Sequence, residues 1–111
     1  MDVAEECYRL TGSFPASEVY GIVAQIRRAA VSVPANIAEG RERRSTNDFI
    51  RYLNIASGSL AELETHLMLA NRLDYLDAGI TEELLRRTGD IGRMLNGLRT
   101  SLQSRTKRRS Q

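Results

Sequence analysis

The sequence predicts an all-α, up-and-down four-helix bundle. Apolar residues recur at steps of three and four over most of the chain, the spacing that lines one face of a 3.6-residue helix. Two segments, Phe49–Ala70 and Leu84–Leu102, keep that alternation strictly enough to form heptad seams, the pattern of helices packed at small crossing angles. Aromatic residues make up only 5% of the 111 residues and tryptophan is absent. The core must therefore be filled by Leu, Ile, Val and Ala, which suits helix-on-helix packing.

The first helix is predicted over residues 2–11. Val3, Cys7 and Leu10 form its apolar stripe, and Asp2, Glu5 and Glu6 sit where the helix dipole favours acid. Gly12 and Ser13 break it, and Phe14-Pro15 predicts a buried corner because the residue before proline is pushed to an extended conformation. Ser17 is the expected N-cap of the second helix, 17–39, whose apolar face is Ile22, Ile26, Ala29, Val33 and Ile37. Pro34 lies inside that face. It removes a hydrogen bond at a cost of about 3 kcal/mol, so a kink is expected there, with Ser32 helping to satisfy the freed backbone. Gly40 is expected to end this helix in the left-handed conformation.

The third helix is predicted over 46–73. Ser45-Thr46-Asn47-Asp48 resembles a capping box with Asp in place of Glu. Phe49, Leu53, Ala56, Leu60, Leu63, Leu67 and Ala70 make its seam. Ile50, Ile55, Leu69 and Leu73 lie off it, which fits either a wide core face or a subunit interface. A turn over 74–79 leads to the fourth helix, 82–103, with Thr81 as cap and Leu84, Thr88, Ile91, Leu95, Leu98 and Leu102 as seam. Each helical glycine is worth about 1 kcal/mol less than alanine, yet Gly21, Gly58, Gly89, Gly92 and Gly97 fall within these segments, which suggests close backbone approach. Residues 1–103 then form the bundle domain, and 104–111 a flexible basic tail.

The segment Gln25–Ser45, QIRRAAVSVPANIAEGRERRS, carries signals that amphipathicity alone does not require. Together with Phe14-Pro15, Tyr20-Gly21 and Gly58-Ser59-Leu60-Ala61-Glu62-Leu63-Glu64, it resembles the bacterial intervening-sequence proteins, named for reading frames inside insertions in 23S ribosomal RNA genes. The likeness spans nearly the whole chain. It departs at the start, where family members often carry a tryptophan-containing lead-in, and that departure shortens the first helix. The resemblance implies a four-helix fold, often a ring of five subunits, and kinship with the accessory variability determinant proteins of diversity-generating retroelements, which assist a reverse transcriptase. It carries no established enzymatic activity to transfer, and no cofactor is expected.

Charge supplies the remaining functional signal. The net charge of +2 hides an asymmetry: residues 91–111 hold six basic side chains and no acidic one, and every basic residue but Lys107 is arginine. Arginine's planar fork suits phosphate, although genomic base composition also enriches it. Arg41, Arg43 and Arg44 form one cluster; Arg99, Arg105, Lys107, Arg108 and Arg109 form a second. Such clusters give salt-dependent, sequence-tolerant affinity for RNA or DNA, and few aromatics are available to stack on bases. Arg27, Arg28, Asn36, Glu39, Ser59 and Glu62 are expected to form a polar layer that fixes helix register, with Glu62 or Glu64 pairing with Arg27 or Arg28.

Catalytic constellations are missing. No phosphate loop, nucleophile elbow or Ser/His/Asp set is present. Glu62, Glu64 and His66 lack the Glu-x-x-His spacing of di-metal bundles and a second histidine. Cys7 is the sole cysteine and reads as a core thiol. No apolar run approaches the ~20 residues of a membrane span. The expectation is a cytoplasmic, non-enzymatic scaffold that self-associates, binds nucleic acid and partners a reverse transcriptase. The rival is a protein–protein interaction module without nucleic acid.

Overall fold

A computed structural model describes residues 2–110, with side chains described through Lys107. It is all-α, with no strand among the described residues. Helix α1 spans Asp2–Thr11, α2 Ala24–Arg41, α3 Thr46–Arg72 and α4 Ala78–Ser110. The bundle is 55 Å long and 23 × 18 Å in section. α2 packs along α3, α3 along α4, and α1 closes against α2 and, more lightly, α4. Cross-helix hydrogen bonds Ser32–Ser59, Arg99–Asn54 and Thr88–Glu64 fix α2/α3 and α3/α4 as antiparallel neighbours.

The core divides into two clusters along this length. One joins all four helices around Cys7, Ile26, Leu63, Leu67 and Leu84, with Phe14 and Leu76 plugging the turns. The other, around Val33, Leu53, Ala56, Leu60, Leu95 and Leu102, is built by α2, α3 and α4 alone. Every residue of the predicted α3 seam except Phe49 is buried, and Phe49 is partly so. Fully burying each leucine contributes about 1.5–3 kcal/mol.

Several local expectations are corrected. Ser17 caps nothing: Ala16–Glu18 form a 3₁₀ turn, and Val19–Val23 a π-type turn that leaves helical geometry at Gly21 (φ −104°, ψ −115°). α2 runs through Pro34 as one helix, as expected, and a further irregularity that the sequence did not signal stands at its entrance. Gly40 is not left-handed; it is buried within α2, and a β-carbon there would come within 2.8 Å of the Phe49 ring and 2.9 Å of Tyr52 Cβ. Close approach is thus its role. It is not the role of Gly58 or Gly97, whose added β-carbons would meet nothing within 4 Å.

Asp74 is the left-handed residue among those described (φ 63°), in the turn after α3. A short polar side chain tolerates that conformation better than most. α4 begins a turn earlier than expected because Asp77, not Thr81, caps it: Asp77 Oδ1 accepts from Ile80 N at 2.8 Å, while the Thr81 hydroxyl donates back to the Asp77 carbonyl at 2.8 Å. The helix also continues past residue 103, where a flexible tail was expected. Its apolar stripe stops at Leu102 but its backbone ladder does not, since Arg, Lys, Gln and Ser carry little helix penalty.

Candidate nucleic-acid interface

The antiparallel packing of α3 and α4 decides where the charges lie. The start of α3 faces the end of α4, so the Arg41–Arg44 segment and the cationic end of α4 meet at one end of the bundle. Residues 39–54 and 96–107 hold seven basic and three acidic side chains; the other described residues hold seven and eleven. One end is therefore cationic and the rest anionic.

The α2–α3 connection is organised by a cap and a ring. Ser45 Oγ accepts from Asp48 N at 3.0 Å, which starts α3 where the capping pattern predicts. One turn on, the Tyr52 ring lies under two guanidiniums, Arg43 at 4.9 Å and Arg51 at 4.7 Å from its centroid. Arg43 also donates to the Tyr52 hydroxyl at 2.8 Å and pairs with Glu39, and Arg51 lies 3.8 Å from Asp48. Cation–π contacts at exposed sites are worth about 0.5–1 kcal/mol, enough to bias where these arginines point. Arg41 and Arg44 are exposed and have no hydrogen-bond or ion-pair partner among the described residues.

On α4, Arg99 donates to Asn54 Oδ1 of α3 at 2.9 Å and to its own neighbour Asn96. It is tethered by amides, which leave its charge uncompensated. Arg105 and Lys107 are exposed. The side chains of Arg108 and Arg109 lie outside the described residues. Between the helices opens a cleft of about 600 Å³, lined by Asn47, Ile50, Thr100, Gln103, Ser104 and Lys107. Sequence reasoning missed Arg51, Tyr52 and Asn54. The signal was present in the helical spacing: Arg51 and Tyr52 stand about two turns after the cap, within reach of the loop arginines.

The six residues assigned to a polar layer separate into three places. Asn36 and Ser59 come together through Ser32: the two serine hydroxyls are 2.8 Å apart, and Asn36 Nδ2 donates to the Ser32 carbonyl at 2.8 Å and its hydroxyl at 2.9 Å. Arg28 and Glu62 pair across α2 and α3 at 3.6 Å with both side chains about half exposed or more, and His66 Nε2 stands 3.9 Å from the same Glu62 oxygen. Arg27 turns instead to α1, donating to Thr11 Oγ1 at 2.9 Å and the Tyr8 carbonyl at 3.2 Å. There it satisfies a carbonyl that the end of α1 leaves open. Glu39 belongs to the cationic end with Arg43. The buried polar tie that sequence reasoning missed is Thr88, 0% exposed, donating to Glu64 at 2.7 Å.

Cys7 is buried, and burial, with Glu6 nearby, pushes its thiol pKa up to about 11. It is neutral at pH 7 and a poor nucleophile. Among the described residues no three His, Cys, Asp or Glu side chains converge as metal ligands, and no helix is long and apolar enough to cross a membrane.

The family described as 23S rRNA-intervening sequence protein matches residues 1–97. The chain belongs to that family. A solved structure from Bacteroides thetaiotaomicron, described as a protein of unknown function from the S23 ribosomal protein family, is 27% identical to it. The alignment covers 87% of this chain and 91% of that one, with a TM-score of 0.79. No curated protein matches. The matched family region includes the first arginine cluster and Arg51, Asn54 and Tyr52, and it stops before Arg99, so most of the cationic end of α4 lies beyond it.

Proposed function

We propose that this intervening-sequence protein is a non-enzymatic, self-assembling helical scaffold of the cytoplasm that binds nucleic acid through its cationic end. The observation that carries the reading is the convergence of two arginine clusters, distant in sequence, at one end of an otherwise acidic bundle. Arg41, Arg44, Arg105 and Lys107 stand exposed there without carboxylate partners among the described residues, available to phosphate. Tyr52 is already flanked by Arg43 and Arg51, so base stacking is disfavoured and the backbone of structured RNA or duplex DNA is the target.

Self-association is supported by the outer face of α3. Ile55, Leu69 and Leu73 are each more than 40% exposed and fall on one helical strip beside the core seam. A ring of five, as the resemblance implies, would repeat the cationic end and make weak phosphate contacts multivalent. In this reading the protein serves as an accessory to a reverse transcriptase, as the resemblance to retroelement accessory proteins implies. The same α3 strip favours the second reading, a protein–protein interaction module alone.

The test combines mass and salt dependence. Light scattering on the eluting protein, with absorbance at 260 and 280 nm, reads the assembly and any co-purified nucleic acid. Binding of duplex RNA measured across a sodium chloride series should weaken steeply, because released counterions drive it. A salt-insensitive or absent interaction overturns the nucleic-acid reading, and a clean monomer overturns the assembly.

A further inference from the structure

The cleft between the start of α3 and the end of α4 carries chemistry that phosphate binding leaves unused. Its register follows from one contact. Arg99 meets Asn54 at 2.9 Å. The helices are antiparallel, so one turn further Gln103 falls opposite Ile50, and one more turn brings Lys107 opposite Asn47. These four line the cavity of about 600 Å³ together with Thr100 and Ser104. The cleft lies away from α1: Arg87, which meets the first turn of α1, stands about 160° around α4 from Gln103.

The lining suits a base better than a phosphate. Ile50 is half-buried, packed against the core of the open half, and supplies an apolar surface. Asn47 and Gln103 are exposed primary amides, one on each wall, and neither has a hydrogen-bond partner among the described residues. Each offers two donors and an acceptor. Asn47 is in the first turn of α3, where an amide is commonly consumed by capping. Here Ser45 already holds Asp48 N at 3.0 Å, so the Asn47 amide is spare. The cations stand at the two ends of the cleft, Arg99 and Lys107, about 12 Å apart along α4. A nucleic-acid backbone that follows them passes its bases over the amides between.

We propose that this cleft takes one unpaired purine of a structured RNA, adenine above all, packed on Ile50 and read on its edge by Asn47 and Gln103. This deepens the nucleic-acid reading and rests on it: the arginine clusters hold the backbone, and the cleft selects the nucleotide. Bases inside a duplex are stacked and paired, whereas a bulged base can be splayed out and bonded along its exposed edges. Asparagine and glutamine suit adenine because one amide meets N6 and N7 together. Thr100 and Ser104 add hydroxyls suited to the 2′-OH that marks RNA. The volume falls within the roughly 300–1,000 Å³ of small-molecule sites.

The probes are three fluorescein-labelled RNA hairpins of one sequence: fully paired, with one bulged adenosine, and with an abasic nucleotide at the bulge. Anisotropy at a single salt concentration gives their dissociation constants. The adenosine bulge should bind at least about tenfold more tightly than either of the others. Asn47→Ala with Gln103→Ala should bring that ratio close to one. In the ¹⁵N-labelled native protein, the side-chain amide resonances of Asn47 and Gln103 should shift with the adenosine bulge and stay in place with the abasic one. Both residues are exposed, and a thermal melt verifies that the double variant folds. Equal affinity for all three hairpins overturns the base site and leaves the backbone site standing. An abasic bulge that binds as tightly as adenosine overturns it too, since the protein would then read the bend of the RNA. So does a double variant that weakens every hairpin alike and keeps the preference. Failure to bind any hairpin overturns the nucleic-acid reading itself, so the two failures are distinguishable.

Discussion

The two halves of this bundle are built from the same aliphatic residues and end up with different properties. In the half closed by α1, four helices bury Cys7, Ile26, Leu63, Leu67 and Leu84, each at 2% exposure or less. Several charges there are paired, as in Arg86 with Glu83 and Asp90. In the other half, three helices bury Leu53, Ala56 and Leu95 fully but leave Ile37, Phe49, Ile50 and Leu98 partly open. Arg41, Arg44, Arg105 and Lys107, exposed and without a partner among the described residues, lie at that end. The contrast teaches that stability and recognition have been separated along one axis: the closed half holds the fold, and the open half presents charge and apolar surface.

Core truncations should break this comparison most visibly. Leu67→Ala in the closed half should cost about 3–4 kcal/mol, and Leu98→Ala in the open half about 1–2 kcal/mol, because a cavity penalty attaches only where the surroundings are full. Urea denaturation measures both, and equal losses would dissolve the distinction between the halves.

Alkaline pH probes the closed half alone. The Cys7 thiol ionises near 9.0 when unfolded and near 11 when folded. The folded state therefore holds the proton more tightly, its advantage is complete below pH 9, and it is lost as pH rises from 9 to 11. Relative to Cys7→Ala, the native protein should lose about 2–3 kcal/mol over that window. A pH-independent difference between the two proteins would mean the thiol is wetter than its position implies.

Two glycine substitutions sharpen the comparison within single helices. Gly40→Ala forces a β-carbon against Phe49 and Tyr52 and should cost about 1–3 kcal/mol. Gly97→Ala meets nothing and should add about 1 kcal/mol from helix propensity. Smallest of all, Arg28→Ala should change stability by less than about 1 kcal/mol, as exposed ion pairs do. Thermal melts should place Gly40→Ala below the native protein, Arg28→Ala close to it and Gly97→Ala above it.

Much of this fold was legible because it follows from periodicity. The α3 seam, the Ser45 cap and the apolar stripe of α4 each depend on residues within a few turns of one another. The misread positions depend on what lies across the bundle. Gly40 looks like a helix stop until α3 is placed against it, and Thr81 looks like a cap until Asp77 reaches Ile80. The same holds for the candidate site. Both arginine clusters were visible, but their meeting at one end follows from antiparallel packing, and the roles of Tyr52 and Asn54 only from contacts between segments. Ser32, the hub joining Asn36 to Ser59, carries no signal that a sequence reader could separate from an ordinary surface serine.

The central claim is that nucleic acid is held at one end of the molecule. The most direct test is the salt dependence of duplex RNA binding for two charge-matched triple variants. Arg99→Gln, Arg105→Gln and Lys107→Gln together alter the cationic end; Arg72→Gln, Arg86→Gln and Arg93→Gln together remove as much charge elsewhere. The account predicts that the first triple lowers the slope of log K against log salt by about 2–3, while the second leaves it unchanged. Equal slopes for the two triples would contradict it.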